Sequence, residues 1–271
     1  MIGQFAPARS PANLRLYAIT DRSLFPEGAF LPAVETALKS GIRALQLREK
    51  DLSAEDLLAL ARQVKELTRR YGAWLFINDR ADVARIAGAE GVHLPESGLP
   101  VGEVRKSFPE LLIGASTHSL ERARRAQEEG ADFIVFGPVF DTPSKRAYGP
   151  PRRDAVRADV RERRGGGADA AAGESIAAAQ AGGGRFLPLV KGAGGIPDPM
   201  VSGQGLDRLR EVTRAIRIPV LALGGITADK VPLVLEAGAF GAAMISGIWK
   251  NPSIEKAVFD YAQHFVGGKL L

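Results

Sequence analysis

The sequence predicts an α/β fold, a (β/α)8 barrel (TIM barrel) with a Gly/Ala-rich insertion after strand six. Short apolar, β-branched runs alternate with stretches of helical periodicity, and this strand–helix unit recurs eight times in 271 residues. The runs are apolar on both faces, as in parallel strands that helices cover. A doubly wound open sheet shares this alternation, but no GxGxxG-type turn follows the first strand, so we favour the barrel.

The first four units are the most regular. Each predicted strand is a short apolar run, from "LRLYAIT" to "GVHL", and a helical pattern follows each one. The second helix is the clearest, with Leu57, Ala61 and Val64 recurring along one face. The predicted strands are 14–20, 44–49, 74–79 and 91–94, and the helices are 29–40, 53–71, 80–88 and 101–107.

The last four units continue this pattern after one interruption. Gly and Ala dominate the interrupting stretch, which contains too few large apolar residues to build a core. We interpret it as a tolerated insertion, with an active-site lid as the alternative. The predicted strands are 112–117, 133–139, 219–225 and 241–248, and the helices are 119–129, 206–215, 227–237 and 253–265. One barrel domain would comprise 13–150 and 205–267, with a flexible insertion at 151–204 in the β6–α6 loop and an N-terminal extension at 1–12.

Composition narrows the functional class. The chain has 45% hydrophobic and 25% charged residues and no cysteine, which excludes disulfides, thiolate metal sites and a cysteine nucleophile. No apolar run is long enough to span a bilayer. The net charge of +5 is spread along the chain, which argues against nucleic-acid binding. We expect a cytoplasmic protein that acts on small anionic molecules.

The carboxyl ends of barrel strands converge at one mouth, so polar residues there are the candidates for chemistry. Strand two ends with Gln46, Arg48 and Lys50, which alternate and therefore face the same way. Together with Lys145 after strand six, they predict a cationic pocket for an anionic ligand. The alternative is that Arg48 and Glu49 form a structural ion pair at the strand end.

Other strand ends add three kinds of candidate. Asp79 could hold Mg²⁺, which takes one or two carboxylates together with phosphate oxygens. His118, close to Ser116, is the preferred general acid–base because histidine titrates near neutral pH. Gly225 and the Ser246–Gly247 turn, at the ends of the last two predicted strands, predict a phosphate cradle of backbone N–H groups.

Motifs along most of the chain resemble the thiamine phosphate synthase/TenI family. They are "YAITDR", "QLREK", "FINDRADVA", "GVHLPE", "IGASTHS", "GADFIVFGPVFDTPSK", "PVLALGGI" and "GAFGAAMISGI". Their order and spacing match throughout, apart from residues 1–12 and the insertion. The resemblance implies a (β/α)8 barrel and a role in thiamine biosynthesis.

The family has two activities, and the resemblance implies residues for each. A synthase joins hydroxymethylpyrimidine pyrophosphate to thiazole phosphate with release of pyrophosphate. Asp79 would then bind Mg²⁺, Ser116 would lie near the pyrimidine, and Gly225 with Ser246 would lie near the thiazole phosphate. The implied pyrophosphate contacts are Gln46, Arg48, Lys50, Asn78 and Lys145, and the implied thiazole contacts are Thr142 and Ser144. A tautomerase instead aromatises a thiazole carboxylate phosphate by proton transfer, with His118 as acid–base and no cofactor.

One loop departs from the synthase pattern. Synthases typically carry an Asp as second Mg²⁺ ligand where this chain has Gly98 in "PESG", and "STHS" resembles the tautomerases. Glu96 could reach the metal instead. We therefore expect a thiazole tautomerase with His118, Lys145 and Ser116 as catalytic residues. A Mg²⁺-dependent synthase is the alternative, and a non-catalytic phosphate-ligand binding module is the third interpretation. The expected small-molecule partner is a phosphorylated thiazole, and a synthase would also bind the pyrimidine pyrophosphate. The sequence leaves open whether the chain forms a homo-oligomer.

Overall fold

Eight parallel strands close into a barrel in the computed structural model, which describes residues 11–141 and 204–265. Each strand pairs with its neighbours in sequence order, and the last strand pairs with the first. The predicted (β/α)8 barrel is therefore confirmed. The strands are β1 (Leu16–Ile19), β2 (Ala44–Leu47), β3 (Trp74–Asn78), β4 (Gly91–Leu94), β5 (Leu112–Thr117), β6 (Phe133–Phe136), β7 (Val220–Leu223) and β8 (Gly241–Met244).

Helices follow the strands and cover the outside of the barrel. They are α1 (Phe30–Lys39), α2 (Ala54–Arg70), α3 (Ala81–Ala87), α4 (Val101–Ser107), α5 (Leu120–Glu128), α6 (Gly205–Ala215), α7 (Val231–Glu236), α8 (Ser246–Trp249) and α9 (Ile254–Ala262). Short 3₁₀ helices occupy Pro11–Arg15, Arg22–Leu24 and Ala228–Lys230. Among the described residues, no helix combines the length and apolar character that crossing a membrane requires.

Local sequence explains where several helices begin. Ser53, Ser119 and Ser253 each precede a helix, and each side chain accepts a hydrogen bond from the backbone N–H three residues later. Such N-caps satisfy one of the donors that a helix start leaves open. The predicted strand 241–248 is too long, because α8 begins at Ser246 and its apolar residues Ile248 and Trp249 are buried from a helix.

The barrel has two hydrophobic cores, which strand alternation separates. Outward-facing residues pack under the helices, and inward-facing residues fill the barrel. Three inward-facing rings from β1, β3 and β6 pack edge to face. The centroid of the Tyr17 ring lies 5.5 Å from the ring centroids of both Phe76 and Phe133, which are themselves 5.2 Å apart. This aromatic layer belongs to the packed interior of the barrel, and barrels of this fold keep their active sites at the mouth formed by the carboxyl ends of the strands.

The predicted segment boundaries fall partly outside the described residues. Residues 151–203 of the predicted insertion lie outside them, as do residues 1–10 of the predicted extension. Gln204, the last residue of the predicted insertion, belongs with the barrel, because its N–H donates to the Pro138 carbonyl at 2.7 Å just before α6. The segment Pro11–Arg15 likewise forms a 3₁₀ helix that leads into β1.

Candidate active site

Four inward-facing side chains, Gln46, Asn78, His93 and Ser116, form a polar floor at the mouth of the barrel. The Gln46 amide donates to Asn78 Oδ1 at 3.3 Å, which links β2 to β3. A hydrogen bond of 2.9 Å joins His93 Nε2 to Ser116 Oγ, which links β4 to β5. Three of the four residues were predicted as site residues from the sequence.

The polar floor rests directly on the aromatic layer through His93. Its Nδ1 lies 3.4 Å from the hydroxyl of Tyr17, and both side chains are buried. Burial, and secondarily the positive charge of Arg48, lowers the pKa of His93 to about 3. His93 is therefore neutral at physiological pH, and it serves as a hydrogen-bonding group that fixes Ser116.

Two cations and one carboxylate lie at the ends of β2 and β3, and their charges act on one another. The positive charge of Arg48 is the main cause that lowers the pKa of Lys50, partial burial adds to it, and the charge of Asp79 opposes it. Lys50 therefore lies within electrostatic reach of both Arg48 and Asp79. Repulsion between two neighbouring cations is relieved when an anion binds between them, so this end of β2 and β3 suits a phosphorylated ligand.

Asp79 has an unusual backbone and a specific neighbour. Its φ is 66°, in the left-handed region, and its N–H donates to the His93 carbonyl at 2.9 Å. A Cβ on Gly98 would stand 2.8 Å from Asp79 Oδ1, so position 98 faces this carboxylate directly. Residues 11–141 and 204–265 contain no group of three or more His, Asp or Glu side chains that could hold a metal. The donor set fits Mg²⁺ held by one carboxylate and completed by phosphate oxygens and water.

Glu96 has other partners than a metal site. Its Oε2 accepts the backbone N–H of His118 at 2.7 Å, and its Oε1 lies 3.7 Å from Arg122 Nε. These contacts tie the loop after β4 to the start of α5. They do not support the expectation that Glu96 replaces the missing ligand at position 98.

His118 lies on the helix side of the barrel wall. Its Nδ1 bonds to the Gly137 carbonyl, and the Gln204 amide donates to the His118 carbonyl at 2.7 Å. The ring lines a cavity of ≈ 250 Å³ whose other walls include Phe136 and Val212, which both belong to the outer core. Because β5 ends at Thr117, the strand alternation that directs Ser116 into the barrel does not extend to residue 118.

The two predicted phosphate turns lie side by side. The hydroxyl of Tyr261, in α9, donates to the Ile226 carbonyl at 3.2 Å, and a side chain at Gly247 would collide with the same hydroxyl. Tyr261 therefore packs against both turns. Trp249 Nε1 donates to the Ile19 carbonyl at 2.7 Å and fixes α8 to β1. The sequence analysis missed both aromatic residues, although Trp249 follows "SGI" directly.

Gly225 is also required by the fold. Its φ is 61°, and a Cβ there would stand 2.6 Å from the Asp141 carbonyl oxygen and 2.8 Å from Phe140 Cβ. The connection after β6 therefore lies on this turn. A larger residue would strain the backbone and displace the connection, in addition to obstructing an anion. The remaining predicted site residues, Thr142, Ser144 and Lys145, lie outside the described residues.

Comparison with known proteins identifies the family. The model for "Thiamine monophosphate synthase" matches residues 16–164 and 197–248. A Geobacter sulfurreducens protein named "Putative thiamine-phosphate synthase" is 41% identical over 89% of this chain and 89% of its own length. Thiamine-phosphate synthase from Pyrococcus abyssi is 33% identical over 90% of this chain and 91% of its own length.

A solved structure agrees with these relatives. Thiamine phosphate pyrophosphorylase from Pyrococcus furiosus superposes with a TM-score of 0.68 at 30% identity, over 93% of this chain and 96% of that one. The 3-hexulose-6-phosphate synthase structure, at 13% identity and a TM-score of 0.52, shares the fold alone. The motifs, the family match and the relatives agree, and the chain belongs to the thiamine monophosphate synthase family.

Proposed function

We propose that this protein is a thiamine-phosphate synthase, which joins a hydroxymethylpyrimidine pyrophosphate to a thiazole phosphate and releases pyrophosphate. As a family member it is an enzyme of thiamine biosynthesis. The observation that carries the proposal is that the charges of Arg48 and Asp79 both act on Lys50 at the ends of β2 and β3. The names of the relatives favour the same activity over the tautomerase that the motif "STHS" led us to expect.

The chemistry of these groups fits a leaving pyrophosphate. Arg48 offers a planar fork of donors and Lys50 a point charge, and both stabilise negative charge that develops as the bond to the pyrophosphate breaks. Asp79 would hold Mg²⁺, which supplies further charge neutralisation when bound. Lys145 is proposed to join them from the connection after β6.

The other predicted residues would orient the two rings. Gln46, Asn78 and Ser116 offer amide and hydroxyl groups to the pyrimidine side from the polar floor. Gly225 with Ser246 and Gly247 would face the thiazole phosphate, and Thr142 and Ser144 are proposed thiazole contacts. Holding both reactants at one mouth turns the reaction into an effectively intramolecular step.

A tautomerase is the second candidate, and the position of His118 argues against it. Proton transfer on the thiazole ring needs a titrating group within hydrogen-bond reach of the ring. His118 instead bonds to Gly137 and lines a cavity against the helices, while the histidine of the polar floor is held neutral.

Two variants in two assays separate these functions. The purified protein is supplied with pyrimidine pyrophosphate, thiazole phosphate and Mg²⁺, and thiamine phosphate is measured; a parallel assay supplies the thiazole tautomer. We expect synthesis by the wild type, a loss of about a hundredfold or more in Asp79→Asn, and a small effect in His118→Asn. Asp82→Asn, at an exposed carboxylate paired with Arg80, is the matched control and should retain activity. Tautomer turnover that depends on His118 and not on Asp79 or Mg²⁺ would reverse the assignment.

A further inference from the structure

A buried carboxylate lies next to the cationic end of β2. Glu49 is 6% exposed, and its two oxygens accept hydrogen bonds from the Thr20 hydroxyl at 2.5 Å and from the Arg22 backbone N–H at 3.0 Å. Burial raises the pKa of Glu49, and the hydrogen bonds from Thr20 and Arg22 oppose that shift. A carboxylate is costly to bury, so its partners define what it does for the structure.

Thr20 connects this carboxylate to the backbone of Arg48. The Thr20 side chain is fully buried, and its Oγ1 accepts the Arg48 N–H at 2.9 Å while the hydroxyl proton goes to Glu49. A hydroxyl has one proton to donate, so the bond to Glu49 fixes its rotation and leaves a lone pair for Arg48. The register between β1 and β2 ends at the pair of Ile19 and Gln46. Beyond that point the Thr20 side chain continues the hydrogen bonding between the two strands.

This arrangement keeps Glu49 apart from the charge of Arg48. Thr20 and Glu49 continue the outward-facing positions of β1 and β2, whereas Arg48 faces the mouth, where its charge acts on His93 and Lys50. Among the residues that the structure describes, the Arg48 guanidinium has no ion pair. Glu49 accepts hydrogen bonds from a hydroxyl and a backbone N–H, and its ion-pair partner is Arg22, whose Nε lies 4.0 Å from Glu49 Oε2. The positive charge of Arg48 is therefore left for a ligand, and its backbone is held from behind.

We propose that Thr20 is a positioning residue for anion binding: bonded to Glu49, it holds the backbone of Arg48 so that the guanidinium faces a pyrophosphate group at the barrel mouth. The inference rests on the proposed function in one respect, that Arg48 binds the pyrophosphate of the substrate. It assigns a functional consequence to two residues, Thr20 and Glu49, that do not themselves face the mouth.

The test measures the binding of inorganic pyrophosphate to the full chain by calorimetry, with Mg²⁺ present. Thr20→Val keeps the shape of the side chain but removes the hydroxyl, and it should weaken binding about tenfold, the range of one hydrogen bond. Thr20→Ser keeps the hydroxyl and should bind within about threefold of the wild type, a difference below one hydrogen bond. Thr68→Val is the matched control: Thr68 is also fully buried, but its hydroxyl donates to Lys65 within α2, and its loss should leave pyrophosphate affinity unchanged.

A double-mutant cycle with Arg48→Ala separates positioning from general destabilisation. If Thr20 acts through Arg48, Thr20→Val should cause no further loss of affinity in the Arg48→Ala background. An equal loss in both backgrounds, or wild-type affinity in Thr20→Val, overturns the inference, as does a wild-type protein that binds no pyrophosphate. A protein that binds pyrophosphate but forms no thiamine phosphate refutes the proposed function alone, and the cycle still decides on Thr20.

Discussion

Replacing Gly98 with Asp should place a second carboxylate beside Asp79 and make the stability of the protein respond to Mg²⁺. The added Cβ would stand 2.8 Å from Asp79 Oδ1 and 3.0 Å from the ring of Pro95. The backbone at Gly98 does not have the positive φ that disfavours a side chain, and the exposed Asp79 side chain can move aside. The Gly98→Asp variant should therefore fold, with the new carboxylate next to that of Asp79.

The magnitude follows from the charges. Two carboxylates about 4 Å apart repel each other by about 1 kcal/mol in water, and we expect the variant to lose about that much free energy of unfolding without metal. Mg²⁺ should turn this loss of stability into a gain, because the ion is attracted to both carboxylates and binds the folded protein. A ligand at a hundred times its Kd stabilises the folded protein by about 2.7 kcal/mol.

The assay is urea unfolding with and without saturating MgCl₂. Gly98→Ala, which adds the same Cβ without a charge, isolates the steric effect on Asp79. We expect the Mg²⁺-dependent gain in stability to be larger in Gly98→Asp than in either Gly98→Ala or the wild type, by about 1 kcal/mol or more. The reasoning is refuted if the gain in Gly98→Asp does not exceed that in Gly98→Ala, since position 98 would then not share a cation with Asp79.

Two further predictions concern the barrel interior. Phe76→Ala should lower the free energy of unfolding in urea by about 3–5 kcal/mol, because its fully buried ring packs against the rings of Tyr17, Trp74 and Phe133. Phe259→Ala, at a ring that is 66% exposed, should lower it by less than about 0.5 kcal/mol, and equal losses would contradict the aromatic layer. His93→Gln should change the pH dependence of stability, because the pKa of His93 is lowered to about 3 in the folded protein and the unfolded chain alone takes up its proton between pH 6.5 and 3. As the pH falls through that range, His93 should therefore lower the free energy of unfolding of the wild type by about 1.4 kcal/mol for each pH unit. The stability difference between the wild type and His93→Gln should shrink by the same amount. A constant difference across that range would show that His93 is not held neutral.

Sequence periodicity predicted eight strand–helix units, and the lack of a GxGxxG-type turn after the first strand favoured the barrel over an open sheet. Strand β4 at Gly91–Leu94, strand β5 at Leu112–Thr117 and helix α4 at Val101–Ser107 lie where the sequence predicted them. The reason is local: a strand buried on both faces is a short apolar run, and a surface helix repeats its apolar residues at every turn. Alternation in β2 likewise predicted that Gln46 and Arg48 would share a direction.

The direction of residues beyond a strand end was decided by tertiary structure. Ser116 and His118 are two residues apart and look equivalent in the sequence, but β5 ends between them and the Gly137 carbonyl holds His118 on the helix side. His93 was not among the predicted site residues, and it bridges Tyr17 and Ser116 under the site.

Glu49 shows the same division between sequence and tertiary structure. The sequence placed a carboxylate between two cations and left an ion pair with Arg48 open. Whether Glu49 faces Arg48 or the opposite side depends on β1, because Thr20 and Arg22 supply its partners from 29 and 27 residues away. Local periodicity determines the face of the sheet to which a side chain belongs, but its partners across that face come from distant segments that only chain closure brings into contact.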